Sequence, residues 1–184
     1  DPRAASATRH GCDPAVGRPV ATPSQDIVLG CFYLTKIRRG VKGEYREARR
    51  TPKGDVQWGN RAEWAARIKE SAAEKGLSEE AALANFPLVA RAGIYGSIEE
   101  AIAAYSHGGV SLHAETLVRF PRPGTPKGCI YEFTSVGRLL FSQVLPPEID
   151  FLEFGNEVLG KKQLGRLVAA AHERCGSRRT AEML

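Results

Sequence analysis

The chain has 184 residues, of which 42% are hydrophobic, and it carries a formal net charge of +5 at pH 7. These values are ordinary for one globular domain or one and a half, and they exclude a chain that is disordered throughout. The longest apolar run, Ile27 to Leu34, is far shorter than the roughly 20 residues of a membrane span, and a basic charge admits nucleic acid as a partner without requiring it.

The first predicted helix follows a segment, residues 1–21, that has no hydrophobic periodicity and is predicted to be a loop or extended. The helix is predicted to begin at Pro23, because Thr22 is a good N-cap and Gln25 completes a Thr-x-x-Gln capping box. Asp26 suits the positive end of the helix dipole. The residues that follow are apolar on almost every side, which predicts a helix buried within a larger body.

A strongly basic stretch, Lys36–Lys53, comes next and contains eight basic residues against two acidic ones. One interpretation is a solvated connection of mixed charge, because no aromatic residue beyond Tyr45 is interleaved as a stacking platform. The other is a contact with a phosphate backbone, for which Arg38, Arg39 and Lys42 are the candidate residues.

Two helices are predicted in the following segment. The first begins after Asn60, which forms a capping pair with Glu63, and ends at Gly76, while Ser78 caps a second and shorter helix. Two helices joined by a short turn resemble a helix-turn-helix, but the second carries two glutamates and no basic residue, which is the wrong charge for a major groove. The favoured interpretation is a small helical insertion over residues 45–92.

A helix and two strands are predicted after the insertion. Ser97 and Glu100 form a capping box for the helix. The sequence VSLHAETLVRF then alternates with period two, which predicts a half-buried strand with His113 on the surface rather than acting as a ligand. The residues predicted to face the core are Leu112, Ala114, Thr116, Val118 and Phe120. A turn and a return strand, CIYEF, follow.

Two further helices are predicted near the C-terminus. The first is capped by Thr134 or Ser135, and the second begins near Lys161, carries one apolar stripe and ends at Gly176. TAEML then begins another helix that stops after about one turn, so the chain is expected to be a piece of something longer. The predicted fold class is α+β, a mixed helical domain with a small antiparallel strand pair, as part of a much larger multi-domain subunit.

No motif supports catalysis by this chain alone. The sequence contains no glycine-rich phosphate loop, no H-E-x-x-H and no G-x-S-x-G. Its four cysteines lie far apart without a C-x-x-C pair, and its five aspartates are isolated from one another. We therefore predict no catalytic residue and no metal site within the chain.

Several segments resemble one family in the order in which that family has them. The sequence GRPVATPSQDIVLGCFYLTK resembles the pattern N-G-x-P-I-x-x-P-S-Q-D-x-V-L-G-x-Y-Y-L-T, which follows the catalytic aspartate loop in the largest (β′) subunit of bacterial RNA polymerase. Further segments that resemble this subunit are KGE at 42–44, SIEEAIAAY at 97–105, GGVSLHAETLVRF at 108–120, TSVGRLLFSQVLP at 134–146 and LGKKQLGRLV at 159–168.

The resemblance implies that residues 17–184 are a fragment of the pore domain (domain 3), which lines the secondary channel for nucleoside triphosphates and backtracked RNA. Gln25 and Asp26 match the family's Q-D pair and would face this channel. Gln25 would lie nearest the triphosphate or the RNA 3′ end, since an amide both donates and accepts, although its capping-box role is an alternative explanation. Arg138 would either reach phosphate or hold a neighbouring acidic side chain.

Three departures from the family pattern limit what the chain can do. Residues 1–16 are a divergent N-terminal segment, and residues 45–92 have no counterpart. The N-A-D-F-D-G-D loop, whose aspartates hold the catalytic Mg²⁺, is absent and would lie upstream of residue 1. The resemblance implies that Mg²⁺ in the parent enzyme binds aspartates outside this chain, that this chain binds none, and that the isolated fragment is inactive.

The leading hypothesis is that the chain is part of DNA-directed RNA polymerase, a nucleotidyltransferase that performs DNA-templated transcription. The implied partners are the β, α, ω and σ subunits, the DNA template, the RNA transcript and nucleoside triphosphates. No membrane partner is expected, and the expected location is the cytoplasm, with the nucleoid. The alternative is a free-standing basic nucleic-acid-binding module that uses Lys36–Lys53.

Overall fold

A computed structural model describes residues 23–183, which divide into two compact units. The described part of the first unit is residues 23–37 together with 137–183, and the second unit is Arg38–Val136. Within the described residues there are seven helices and two three-stranded sheets, which confirms the α+β prediction.

The elements in chain order are α1 (Gln25–Thr35), β1 (Arg46–Arg50), β2 (Val56–Asn60), α2 (Arg61–Lys75), α3 (Glu79–Leu83), β3 (Leu88–Ala92), β4 (Ile94–Tyr95), α4 (Ile98–Ser106), β5 (Thr116–Pro121), β6 (Cys129–Thr134), α5 (Val136–Ser142), α6 (Phe151–Phe154) and α7 (Lys161–Met183). Helix α7 is broken at Gly176, where φ is +79°. The predicted helix end at Gly176, with a further helix after it, is therefore confirmed.

Helix α1 has one covered and one open face. In the first unit, apolar side chains of α5, α7 and the segment between them form a buried core, namely Phe141, Ile149, Leu159, Leu164, Leu167 and Ala171. One face of α1 packs against this core through Ile27, Val28, Cys31 and Leu34. On the other face Leu29 is 65% exposed, and Phe32 and Tyr33 are also exposed. Within the described residues, only one side of this predicted buried helix is covered.

The start of α1 differs from the prediction. Its N-cap is Ser24, whose hydroxyl accepts a hydrogen bond from the Ile27 N–H at 3.4 Å, and its first residue is Gln25. The predicted start at Pro23 is wrong, because serine is as effective an N-cap as threonine and lies two positions further on. Gln25 is then too early in the helix for a capping box, which uses the third helical residue. Thr22 lies outside the described residues.

Residues 45–92, predicted to be a helical insertion, fold as a three-stranded sheet with two helices, not as helices alone. Strands β2 and β3 flank β1, and both run antiparallel to it. The predicted helices are confirmed: Asn60 and Glu63 form a complete capping box at the start of α2, and Gly76 ends it in the left-handed region. The three strands were not predicted, because β1 reads Arg-Glu-Ala-Arg-Arg and has no apolar alternation.

The two ends of the insertion lie side by side. A Cβ atom on Gly93, whose φ is +72°, would stand 2.7 Å from the Tyr45 backbone nitrogen and Cα. The Tyr45 N–H donates to the Glu115 carbonyl at 2.6 Å, and the Leu117 N–H donates to the Gly93 carbonyl at 3.0 Å. The chain thus leaves and rejoins the second sheet, β4-β5-β6, at one point.

The second sheet contains the predicted strand pair. Strands β5 and β6 are antiparallel, and Thr116, Val118 and Phe120 are buried as predicted. His113 is only 5% exposed, so its predicted surface position is wrong. The strand begins at Thr116, and the residues before it form turns, to which the alternation of a strand does not apply.

Candidate functional site

A polar groove of about 810 Å³ lies beside the start of α2 in the second unit. Three basic side chains line it, those of Arg39, Lys42 and Arg46. Two come from the loop that precedes β1, and the third comes from β1 itself. The structure therefore gathers part of the basic stretch Lys36–Lys53 around one concave surface.

The loop that carries Arg39 and Lys42 is fixed from within. The buried Glu44 carboxylate accepts a hydrogen bond from the Gly40 N–H at 2.9 Å. Gly43 has φ +79°, and a Cβ there would stand 2.6 Å from the Val110 Cα. Since only glycine fits this conformation and this space, the loop presents its two basic side chains from a defined backbone.

The basic side chains of the groove are not neutralised by their neighbours. Arg39, Lys42 and Arg46 are exposed, and none forms an ion pair with a residue in the described range 23–183. The two acidic side chains that line the groove accept hydrogen bonds from backbone N–H groups, Glu44 from Gly40 and Glu63 from Asn60. The groove can therefore attract an anion.

The other basic residues of the stretch have different surroundings. The Arg49 guanidinium is half-buried and lies 2.6 Å from the Glu47 carboxylate. Arg38 donates its backbone N–H to the His113 carbonyl at 2.9 Å and does not line the groove. Of the three predicted nucleic-acid contacts, the structure brings Arg39 and Lys42 together. It adds Arg46, which sequence reasoning missed because the pairing of Arg46 with Asn60 depends on an unpredicted strand.

The predicted channel pair lies at the N-terminus of α1. Gln25 and Asp26 are both exposed and border a pocket of about 300 Å³, together with Leu29, Phe32 and Gly160. The lining combines an amide, a carboxylate and apolar side chains. The amide of Gln25 can donate and accept hydrogen bonds there.

Arg138 lies at the opposite end of α1 and is only 8% exposed. Its Nε donates to the Thr35 carbonyl at 2.9 Å, and its NH1 donates to the Asn156 carbonyl at 3.0 Å. Given the rise of an α-helix, the two ends of α1 are roughly 15 Å apart. The structure therefore does not bring Arg138 together with Gln25 and Asp26.

Burial and a hydrogen bond raise the pKa of Tyr45, which directly follows Glu44 of the groove. The Tyr45 hydroxyl donates to the Glu47 carboxylate at 2.6 Å. Burial first, and then this hydrogen bond and the negative charge of Glu47, raise the pKa of Tyr45 to about 12. The phenol therefore stays neutral at physiological pH.

Within residues 23–183, no three His, Cys, Asp or Glu side chains come together in a way that could hold a metal ion. The described side chains thus do not fit a Mg²⁺ site, which needs several oxygen ligands at one point. No helix in the same range is long and apolar enough to cross a membrane.

Comparison with known proteins gives a consistent set of relatives. A family model described as RNA polymerase Rpb1, domain 3, matches residues 10–184. In an alignment of 187 residues that covers 94% of this chain, it is 33% identical to the DNA-directed RNA polymerase subunit beta′ of Heliobacterium modesticaldum. In an alignment of 181 residues that covers 97% of this chain, it is 34% identical to the DNA-directed RNA polymerase subunit beta′ of Azobacteroides pseudotrichonymphae. The chain spans only 11% and 9% of the lengths of these two relatives.

Proposed function

The chain belongs to the RNA polymerase Rpb1 domain 3 family, and on this basis we propose that it forms the secondary-channel (pore) region of a DNA-directed RNA polymerase β′ subunit, next to the active centre. The whole enzyme would transfer nucleotides from nucleoside triphosphates to the 3′ end of a growing RNA on a DNA template. Its β, α, ω and σ subunits would be the protein partners. The complex would work in the cytoplasm, at the nucleoid.

The observation that supports this proposal most directly is that α1 exposes an apolar side and a polar N-terminus. Its outer face leaves Leu29, Phe32 and Tyr33 exposed, which is the kind of apolar surface that a larger subunit covers. Its N-terminus exposes the polar Gln25 and Asp26 beside a pocket. A helix with an apolar flank and a polar tip suits a position in which the flank is packed and the tip faces an aqueous channel.

The chemistry is divided between this chain and the rest of the enzyme. Mg²⁺ held by aspartates outside this chain would neutralise charge on the reacting phosphate oxygens. The chain's own contribution would be to bind and orient the substrate through the Gln25 amide. Arg138 would support this by holding the C-terminal end of α1 through the Thr35 carbonyl.

The test is Gln25→Ala in the full β′ subunit, assembled into polymerase. Losing a hydrogen bond to a charged phosphate is expected to raise the KM for nucleoside triphosphates by about ten- to a hundredfold, because such bonds contribute roughly 1.5–3 kcal/mol. Gln143→Ala is the matched control, since Gln143 is also exposed but directly follows α5. Equal KM values for the Gln25 variant and this control would refute the channel role of Gln25.

A second candidate function is supported by the groove of Arg39, Lys42 and Arg46. Three basic side chains without ion pairs in the described residues suit the phosphate backbone of a nucleic acid. This function requires no polymerase around the chain. This second function would be favoured over the channel role if the chain alone bound nucleic acid and the groove variants had no effect on the assembled enzyme.

A further inference from the structure

We propose that the insertion carries a binding platform for single-stranded RNA on the open face of its sheet, β2-β1-β3. The proposed channel role does not involve this sheet, so the RNA-binding platform is a function beyond that role. Only the choice of RNA over DNA rests on the proposed function, since RNA is the product of the enzyme.

The contacts of β2 define which face of the sheet is open. Arg67 on α2 donates to the Gln57 side chain at 3.1 Å. A Cβ on Gly59 would stand 2.9 Å from Nε1 of Trp64, which is also on α2. Gln57 and Gly59 therefore face the helices. Because side chains alternate along a strand, Trp58 faces the opposite side.

Trp58 is an exposed aromatic residue on this open face. It is 46% exposed, and Val56, two residues before it on the same face, is 47% exposed. The partner of Trp58 on β1 is Ala48, which in turn pairs with Ala90 on β3. Ala48 is itself buried, but nearly half of the Trp58 surface stays accessible to a planar group such as a nucleobase.

Two basic side chains flank Trp58 on the neighbouring strand. Arg46 and Arg50 lie two residues before and after Ala48, so they are the diagonal cross-strand neighbours of Trp58. Both are exposed, and neither forms an ion pair with any residue in the part of the chain that the structure describes. The acidic residue of β1, Glu47, points to the helix-covered face and binds Arg49.

The arrangement combines the two contacts that single strands require. An aromatic side chain stacks on a base whatever its sequence, and basic side chains beside it bind the phosphates. Arg46 also lines the groove that contains Arg39 and Lys42. A strand stacked on Trp58 can thus continue into the groove. An acidic peptide would use the arginines but not the flat face of the indole.

The experiment measures binding of the full 184-residue chain to a fluorescently labelled oligouridylate of about ten nucleotides by anisotropy, over a series of salt concentrations. Trp58→Ala is expected to weaken binding about tenfold with an unchanged salt slope, because the loss is one of stacking. Trp58→Phe should restore much of the affinity. Arg50→Gln should lower the affinity and reduce the salt slope by about one.

Tyr131→Ala is the matched control, because Tyr131 is an equally exposed aromatic residue on β6. Unchanged affinity for both Trp58 variants, or an equal loss for the Tyr131 variant, would overturn the platform. Equal affinity of the chain for oligothymidylate DNA would overturn the assignment to RNA. If a polyglutamate peptide displaced the oligouridylate, and Trp58→Ala bound this peptide as tightly as the unmodified chain does, the face would be assigned to acidic peptides instead. No readout involves polymerase activity, so failure of the channel proposal would not affect the result.

Discussion

The Nε of Arg138 donates a hydrogen bond to the Thr35 carbonyl at 2.9 Å, between residues 103 positions apart in sequence. The Thr35 hydroxyl in turn accepts from the Leu159 N–H at 2.9 Å. These bonds connect the C-terminal end of α1 to Arg138 within α5 and to Leu159, which lies just before α7. The orientation of α1, and hence of Gln25 at its other end, depends on this connection.

The first prediction concerns Arg138. Arg138→Ala should lower the free energy of unfolding by about 2–4 kcal/mol, because two carbonyl acceptors lose a charged donor in a buried place. Urea unfolding of the full chain measures the change. Arg166→Ala is the control, since Arg166 has a more exposed side chain and only a 3.7 Å ion pair with Glu157; it should cost less than about 1 kcal/mol. Equal losses of unfolding free energy in the two variants would contradict a stabilising role for the buried hydrogen bonds of Arg138.

The junction of the insertion gives the second prediction. Gly93→Ala should destabilise the chain by more than about 3 kcal/mol, because the new Cβ would meet the Tyr45 backbone at 2.7 Å as well as adopt positive φ. Gly124→Ala has the same conformational cost, with φ +91° and open space around its Cβ, and should lose only about 1–2 kcal/mol. Thermal unfolding of both variants separates the steric part from the conformational part.

The third prediction is a pH dependence from Tyr45, whose pKa is raised to about 12 by burial and by its hydrogen bond to Glu47. Folding favours the neutral phenol, so its stabilisation is complete below the ordinary tyrosine pKa of about 10 and is lost as the pH rises through about 12. Burial also raises the pKa of Tyr95, but ultraviolet titration of phenolate absorbance should show a late step at about pH 12 that belongs to Tyr45. That late step should vanish in Tyr45→Phe, and its persistence would assign it to another tyrosine.

The groove gives the fourth prediction. Arg39→Gln and Lys42→Gln should each weaken binding of the chain to duplex DNA and reduce the slope of log affinity against log salt by about one, because each removes one phosphate contact. Lys161→Gln, at an exposed position at the start of α7, is the control with the same change of charge. A slope reduced equally by all three would indicate a general charge effect rather than a groove.

Local signals in the sequence were sufficient for most helices. Asn60 with Glu63, Gly76 and Gly176 mark helix ends through contacts within a few residues, so their effect does not depend on the rest of the fold. The start of α1 was missed by two residues because Thr22 and Ser24 are both strong N-caps, and local preference alone does not choose between them.

Features that depend on distant pairing were not predictable in the same way. Strand β1 is held by β2 and β3 on either side, and its own sequence has no apolar alternation. Arg46 and Trp58 became candidate binding residues only when that pairing gave them a common face. His113 was placed on the wrong side because turns, and not a strand, precede Thr116.

Photo-crosslinking from position 25 in assembled polymerase tests directly whether the N-terminus of α1 lies in the secondary channel, as proposed. A photoreactive amino acid replaces Gln25 in the full β′ subunit, and a second enzyme carries it at Gln143 as the control. In complexes halted with end-labelled, backtracked RNA, we expect a crosslink from position 25 to the RNA 3′ end and none from position 143. Crosslinking from position 143 with none from position 25 would contradict the placement of the α1 N-terminus in the secondary channel.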